Sequence, residues 1–126
     1  AFVGRQGAPM GLPFSPGIKA GDFLFISGQG PTDRDGKVVP GDIRAQTRLA
    51  LDNFKRIVEQ GGSSMDNVVQ TAVYLQDLND YAGMNEVYAS FFTEPRPARA
   101  TIQAKLLFGM LVEVQGIAHL PASRTN

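Results

Sequence analysis

The feature that most constrains the fold is a strict alternation of polar and apolar residues in two stretches near the end of the chain. Residues 98–106 set alanines and larger apolar side chains against a polar face formed by Arg99, Thr101, Gln103 and Lys105. Residues 112–120 set valines and an alanine against a polar face formed by Glu113, Gln115 and His119. Alternation with a period of two residues is typical of half-buried β-strands. The pattern predicts two neighbouring strands that carry a guanidinium and a carboxylate on their polar faces.

The beginning of the chain predicts an irregular arm and a hairpin. Residues 1–13 are rich in glycine and proline and show no period, which is typical of irregular structure. In residues 18–26 a Gly-Asp turn precedes an unbroken apolar run, which predicts a hairpin whose second strand is buried on both faces. A tight turn then leads to a short edge strand at residues 37–39.

The middle of the chain predicts two helices separated by a strand. The first helix is expected to begin after Asp42, a good N-cap, and to end at Gly61 and Gly62. Residues 68–75 are rich in Val, Thr and Tyr, as strands are. The second helix is expected from about residue 79 to about residue 92, with Tyr81 among its core residues. The order β-β-(β)-α-β-α-β-β predicts one α+β domain over residues 1–126, with two helices on one face of a sheet. The other face needs cover, so we expect an oligomer.

Composition excludes several classes of site. The chain has 126 residues, no cysteine, one histidine, and twelve basic residues balanced by twelve acidic ones. Zero net charge provides no global attraction for nucleic acid or an anionic membrane. Without thiolates or a histidine cluster, neither a cysteine nucleophile nor a conventional metal site is expected. No apolar run is long enough to span a membrane and no signal pattern is present, so we expect a cytoplasmic protein.

Arg99 and Glu113 are the strongest candidates for chemistry, although each also has a purely structural interpretation. Arg99 can be a surface arginine paired with an acidic neighbour, or a fork that binds a carboxylate through two hydrogen bonds. Glu113 can be a solvated strand carboxylate, or the group that orients or deprotonates a water. If residues 107–110 make a hairpin loop, the two side chains lie roughly 15 Å apart within one chain. They would then share a site only across a subunit boundary, or if a bulge shifts the register.

Several weaker candidates surround this pair. Ser27 and Gly28 end an apolar strand, where a glycine allows close approach of a ligand but also suits an ordinary turn. Asn85 is more simply a surface or capping amide, and Phe14 a packing residue. His119 is a lone histidine near a strand end.

Taken together, these residues resemble the RidA/YjgF family of enamine/imine deaminases over residues 12–120. The resemblance rests on ordered motifs: Ile26-Ser27-Gly28-Gln29-Gly30-Pro31, Ala45-Gln46-Thr47, Leu51-Asp52-Asn53, Val73-Tyr74-Leu75, Asp77-Leu78-Asn79-Asp80-Tyr81, Asn85, Tyr88, Phe91-Phe92, Pro97-Ala98-Arg99 and Val112-Glu113-Val114. It implies a chorismate-mutase-like α+β fold, a mixed sheet, and a homotrimer with a central β-barrel and active sites between subunits. The implied reaction is cofactor-free hydrolysis of 2-enamines and 2-imines, such as 2-aminoacrylate and 2-iminobutanoate, to 2-keto acids and ammonia.

The resemblance also implies roles for individual residues. Arg99 would bind the substrate carboxylate and Glu113 would orient or activate the attacking water. Ser27 and Gly28 would line the pocket, with Asn85 nearby.

Three positions and one segment depart from the family pattern. Phe14 stands where a pocket tyrosine is usual, Thr101 replaces a common cysteine, and Gln115 replaces a frequent glutamate. The segment 106–110 is unusually apolar and lacks the usual Leu-Pro. These changes leave two further interpretations open: a pathway-specific enzyme such as a 2-aminomuconate deaminase, and a non-catalytic protein that binds small carboxylates or a protein partner.

Overall fold

A mixed β-sheet forms one layer of the computed structural model, which describes residues 2–3 and 11–121. Its strands in chain order are β1 Phe2–Val3, β2 Gly17–Ala20, β3 Phe23–Gln29, β4 Val68–Leu75, β5 Ala98–Gln103 and β6 Val112–His119. Across the sheet they run β1-β2-β3-β6-β4-β5. The β4–β5 pair is parallel and the other pairs are antiparallel.

The first helix, α1 Ile43–Gln60, begins and ends as the sequence predicts. Asp42 caps it, since its Oδ1 accepts a hydrogen bond of 2.9 Å from the Ala45 N–H. Its apolar stripe is buried, and Leu51 and Phe54 have no exposed surface. The helix therefore supplies much of the core against the sheet.

The second helix, α2 Tyr81–Ala89, connects β4 to β5 after a short 3₁₀ turn at Leu78–Asp80. It ends about three residues earlier than predicted, at Ala89 rather than near residue 92. Met84, Val87 and Tyr88 are buried as expected, but Tyr81 is 46% exposed and is not a core residue. The connection lets β4 and β5 lie side by side in parallel.

This parallel connection corrects the predicted strand order. We expected β5 and β6 to be neighbours, but β4 lies between them and pairs with both. A hairpin at residues 107–110 is therefore wrong; Leu107–Gly109 is a 3₁₀ turn in a longer connection. The predicted alternation itself is present in both strands.

The register also corrects which face of β5 is polar. Arg99 pairs with Thr71, which is buried beneath the helices, so Arg99 lies on the helix side of the sheet. Ile102 pairs with Tyr74 of β4, which in turn pairs with Glu113 of β6, so the three side chains lie on one side of the sheet. This side is opposite to that of Arg99, and Ile102 is 49% exposed on it. We call that uncovered side the open face. The sequence interpretation placed both Arg99 and Glu113 on that face; Glu113 lies there and Arg99 does not.

Three other expectations about the strands change. β3 is buried on one face only, because Phe23 and Phe25 are 41% and 45% exposed on the open face. Residues 37–39 form no strand, and only a bridge between Thr32 and Val38 is present. The predicted irregular arm contains the strand Phe2–Val3; residues 1 and 4–10 lie outside the described part of the chain.

The open face combines large apolar side chains with polar ones. Ile18 pairs with Phe25, and both are more than 40% exposed, as are Phe23 and Ile102. Antiparallel and mixed sheets tolerate one solvated face, but an exposed apolar cluster of this kind is typical of a contact surface. In the described residues neither helix is long and apolar enough to cross a membrane.

Candidate functional site

Arg99 is held between aromatic rings on the helix side of β5. Its Cζ lies 4.7 Å from the centroid of the Tyr88 ring and 5.7 Å from that of Tyr81. The Tyr88 hydroxyl is itself 2.7 Å from the buried Thr71 Oγ1. Because the ring beneath the guanidinium is anchored in the core, the orientation of Arg99 is restrained before any ligand binds.

Tyr81 completes this part of the site. Its hydroxyl accepts a hydrogen bond of 3.3 Å from Arg99 Nη2. Hydrogen bonding by the Asn85 side chain, followed by the positive charge of Arg99, lowers the pKa of the Tyr81 phenol. Tyr81 and Asn85 are one helical turn apart, so Asn85 lies on the face of α2 from which Tyr81 contacts Arg99. We call Arg99, Tyr81 and Asn85 the arginine half-site.

Thr101 lies on the same side of β5 as Arg99, two residues further along the strand. Two residues of strand correspond to roughly 7 Å. Its partner on β4 is Val73, which is buried. Thr101 therefore lies beside the arginine half-site, on the face that the alternation predicts it to share with Arg99.

Glu113 lies on the open face, half-buried, with its side chain over Gly28. A Cβ built on Gly28 would overlap Glu113 Oε2, so glycine is required for this approach. Burial raises the pKa of the Glu113 carboxyl above its usual value. Among the described residues no hydrogen bond or ion pair to this carboxylate is present, so its oxygens are available to a water or a ligand. We call Glu113 and Gly28 the glutamate half-site.

Ser27 holds the segment that carries Phe14. Its hydroxyl donates a hydrogen bond of 2.6 Å to the Ser15 carbonyl, and its N–H donates one of 2.9 Å to the Pro16 carbonyl. The Ser27 hydroxyl is thus used within the chain, whereas the sequence interpretation gave it only a place in the pocket lining. Phe14, next to Ser15, is 60% exposed.

Two buried amides of α1 fix the loops around the glutamate half-site. Asn53 Nδ2 donates to the carbonyls of Gly30 and Thr32, each at 2.9 Å. Gln46 donates to the Val39 carbonyl and accepts from the Leu111 N–H, also at 2.9 Å. The loop that follows β3 and the loop that precedes β6 are therefore both anchored to α1.

The two half-sites lie apart within one chain. Arg99 is in the same cross-sheet row as Gly116, and Glu113 is three residues from Gly116 along β6. An odd number of residues along a strand changes the face, so the two side chains point to opposite sides of the sheet. Three residues along the strand and two strand spacings across it separate their Cα atoms by about 14 Å. One small substrate cannot contact both side chains in a single chain.

Sequence reasoning had assigned Tyr81 and Tyr88 to the core and did not connect them with Arg99. Only the position of Tyr81 four residues before Asn85 indicates a shared helix face. His119 belongs to neither half-site and contacts the Phe23 ring edge-on at 5.7 Å. The described residues contain no cluster of three acidic or histidine side chains that could hold a metal ion.

Comparison with known proteins identifies close relatives of the chain. A family model described as endoribonuclease L-PSP matches residues 7–120. A RutC family protein of Pyrococcus horikoshii is 49% identical over 120 residues, which is 94% of each chain. The crystal structure of RidA from the Antarctic bacterium Psychrobacter sp. PAMC 21119 has a TM-score of 0.87 and 34% identity, covering 95% of this chain and 99% of that one. The crystal structure of Escherichia coli TdcF with bound serine has a TM-score of 0.86 and 33% identity, covering 96% and 99%.

Proposed function

Because this chain belongs to the RidA/YjgF family, we propose that it catalyses cofactor-free hydrolysis of 2-enamine and 2-imine acids to 2-keto acids and ammonia. Candidate substrates are 2-aminoacrylate and 2-iminobutanoate, which carry a carboxylate next to the reacting carbon. The observation that carries the proposal is the complementarity of the two half-sites. One presents an oriented cation and the other a half-buried carboxylate with a raised pKa.

Arg99 suits the substrate carboxylate. Its guanidinium is stacked on Tyr88 and hydrogen-bonded to Tyr81, so its planar donors are already oriented. A fork of this kind binds a carboxylate through two parallel hydrogen bonds, which lysine does less well. Fixing the substrate at this end places the neighbouring imine carbon at a defined distance from the guanidinium.

Glu113 suits the activation of water. The reaction adds water across the C=N bond of the imine and then releases ammonia, leaving the keto acid; an enamine first tautomerises to the imine. Water needs a base that accepts its proton as the oxygen attacks, and the nitrogen must gain protons before it leaves. The raised pKa of Glu113 makes its carboxylate a stronger base than a solvated glutamate.

The site would be assembled from two chains. Glu113 of one subunit would meet Arg99 of a neighbour, because one chain holds them on opposite faces of its sheet. A homotrimer whose open faces pack around a central barrel would also cover the exposed Phe23, Phe25 and Ile102. Each interface would then contain one complete site.

Two observations bear on the side chain of the substrate. TdcF, a relative of the same fold, has a crystal structure with bound serine, a small 2-amino carboxylate. In this chain Phe14 is 60% exposed, and Phe108, in the apolar loop before β6, is 81% exposed. Such surfaces favour a larger or less polar amino-enoate, of which 2-aminomuconate is the alternative candidate.

The test is release of ammonia and keto acid from 2-aminoacrylate and 2-iminobutanoate generated enzymatically in the cuvette. Wild type is compared with Arg99→Ala and Glu113→Gln, each of which should lose most of the turnover. Arg44→Ala is the matched control, because Arg44 forms an exposed ion pair with Glu86 on the helix layer and its loss should leave turnover unchanged.

The outcomes separate the candidate functions. Fast release that depends on Arg99 supports a general deaminase, and turnover confined to 2-aminomuconate supports the pathway-specific one. Binding of keto acids through Arg99 without any turnover would identify a non-catalytic carboxylate-binding protein. Full activity of Arg99→Ala would contradict the assignment of Arg99.

A further inference from the structure

The phenol of Tyr81 has a hydrogen that Arg99 cannot accept. Arg99 Nη2 donates to the Tyr81 oxygen, and arginine has no acceptor. The hydrogen bond from Asn85 lowers the pKa of the phenol, as donation to the oxygen does, because it stabilises the phenolate. Arg99 therefore occupies the oxygen as a donor, and the O–H hydrogen points away from the guanidinium.

The hydroxyl of Tyr81 lies beside the guanidinium of Arg99 on a partly exposed residue. Tyr81 is 46% exposed, so its hydroxyl is not closed off by the core. Its oxygen lies 3.3 Å from the guanidinium nitrogen, a distance at which one carboxylate can receive hydrogen bonds from both groups.

We propose that Tyr81 is a substrate-binding residue that donates its O–H hydrogen to the same carboxylate that Arg99 binds. The inference rests on the proposed function, in which Arg99 is the carboxylate site. It adds a donor that the sequence analysis did not assign, and it defines the ligand class as a planar carboxylate that accepts from a guanidinium and a phenol together. An amide or an ester at this position would be rejected, because each offers fewer acceptor sites and no charge.

The other two tyrosines cannot take this role. The hydroxyl of Tyr88 is engaged with the buried Thr71 at 2.7 Å. Tyr74 lies on the open face and donates to Gln115 at 3.2 Å. Phe14, at the position where the family usually has a tyrosine, has no hydroxyl. Tyr81 thus supplies, from α2, a phenol that the chain lacks at residue 14.

Ionisation provides a signature that a purely structural tyrosine would not show. The charged group that acts on Tyr81 is Arg99 on β5. Tyr88 on α2 contacts the same guanidinium, and burial raises the pKa of its phenol. Tyr81 therefore ionises first as pH rises. Its phenolate cannot donate a hydrogen bond and repels a carboxylate, so ligand affinity should fall at a pH below the ordinary tyrosine value of 10.0.

The experiment is calorimetric titration of the assembled protein with 2-oxobutanoate, the keto acid that 2-iminobutanoate yields, as a function of pH. Tyr81→Phe should bind roughly tenfold or more weakly than wild type at neutral pH, as expected for losing a hydrogen bond to a charged group. It should also lose the decline in affinity at high pH. Thr93→Val removes an exposed hydroxyl that donates to Asp66 instead, and it should bind as wild type does.

Each result decides the inference. Equal affinity and an equal pH profile in wild type and Tyr81→Phe would overturn it while leaving the carboxylate role of Arg99 intact, provided that Arg99→Ala abolishes binding. Unchanged binding in Arg99→Ala, or no binding to wild type, would overturn both the inference and the carboxylate site. The pH profile of the unaltered protein tests the proposal even if a variant fails to fold, because a flat profile up to the ordinary tyrosine range contradicts it.

Discussion

Mixing two inactive variants tests whether an active site needs two chains. Arg99→Ala chains retain Glu113, and Glu113→Gln chains retain Arg99. The two side chains lie on opposite faces of one sheet with their Cα atoms about 14 Å apart, so neither intact chain can supply both to one small substrate. Chains refolded together should therefore regain activity that neither variant has alone.

The size of the recovery follows from closed ring symmetry. If each site takes Arg99 from one chain and Glu113 from the next, as we propose, a site is intact only when a Glu113→Gln chain supplies the arginine and an Arg99→Ala chain the glutamate. With equal amounts and random assembly, about one quarter of the sites are intact. Turnover per chain should thus reach about a quarter of wild type, and it should fall as the ratio departs from equality.

The assay is ammonia release after co-refolding, with differently tagged chains so that mixed oligomers can be counted by native mass spectrometry. Variants mixed without refolding provide the control, because without subunit exchange they should stay inactive. Mixed oligomers without any recovered turnover would refute a site shared between Arg99 and Glu113 of different chains.

Three further perturbations address single features of the structure. Gly28→Ala should lower turnover much as Glu113→Gln does, because the new Cβ displaces the Glu113 carboxylate. The denaturation midpoint should stay nearly unchanged, since the displaced group is the end of a flexible side chain and not backbone. A normal turnover rate would contradict the need for glycine at this position. Burial raises the pKa of Glu113 in the folded chain, so its contribution to stability is complete below the ordinary value of 4.5 and is lost as pH rises through the folded pKa. Glu113→Gln should accordingly raise the midpoint of guanidinium chloride denaturation at about pH 7, but not at a pH below the ordinary glutamate pKa. An equal gain in stability at both pH values would argue against ionisation of Glu113 as the cause. Phe108 has a positive φ of 55° and is 81% exposed, so Phe108→Gly should stabilise the chain by up to about 1 kcal/mol in urea denaturation; destabilisation would indicate that the side chain packs against another subunit.

Local patterns predicted the elements well, because their determinants are local. Asp42 and Gly61 bound α1, and β4 spans residues 68–75 as expected. The order of strands in the sheet could not be predicted in the same way. β5 pairs with β4 because of the α2 connection, and no pattern within β5 indicates that partner. The predicted hairpin between β5 and β6 failed for this reason, and with it the expectation that Arg99 and Glu113 share one face of neighbouring strands.

The reversed face of β5 has a physical cause that extends to the site. Alternation shows that two faces differ, but assigning the apolar one to the core presumes that the polar face meets water. On β5 the small residues lie on the open face with the exposed Phe25, while Arg99 lies under α2 against aromatic rings. A strand whose open face packs on other subunits needs apolar residues there, and its helix side is then free to carry a charged residue. The proposed assembly thus accounts for the wrong prediction of the face on which Arg99 lies. It would cover both sides of β5 and leave the Arg99 guanidinium at the boundary between chains.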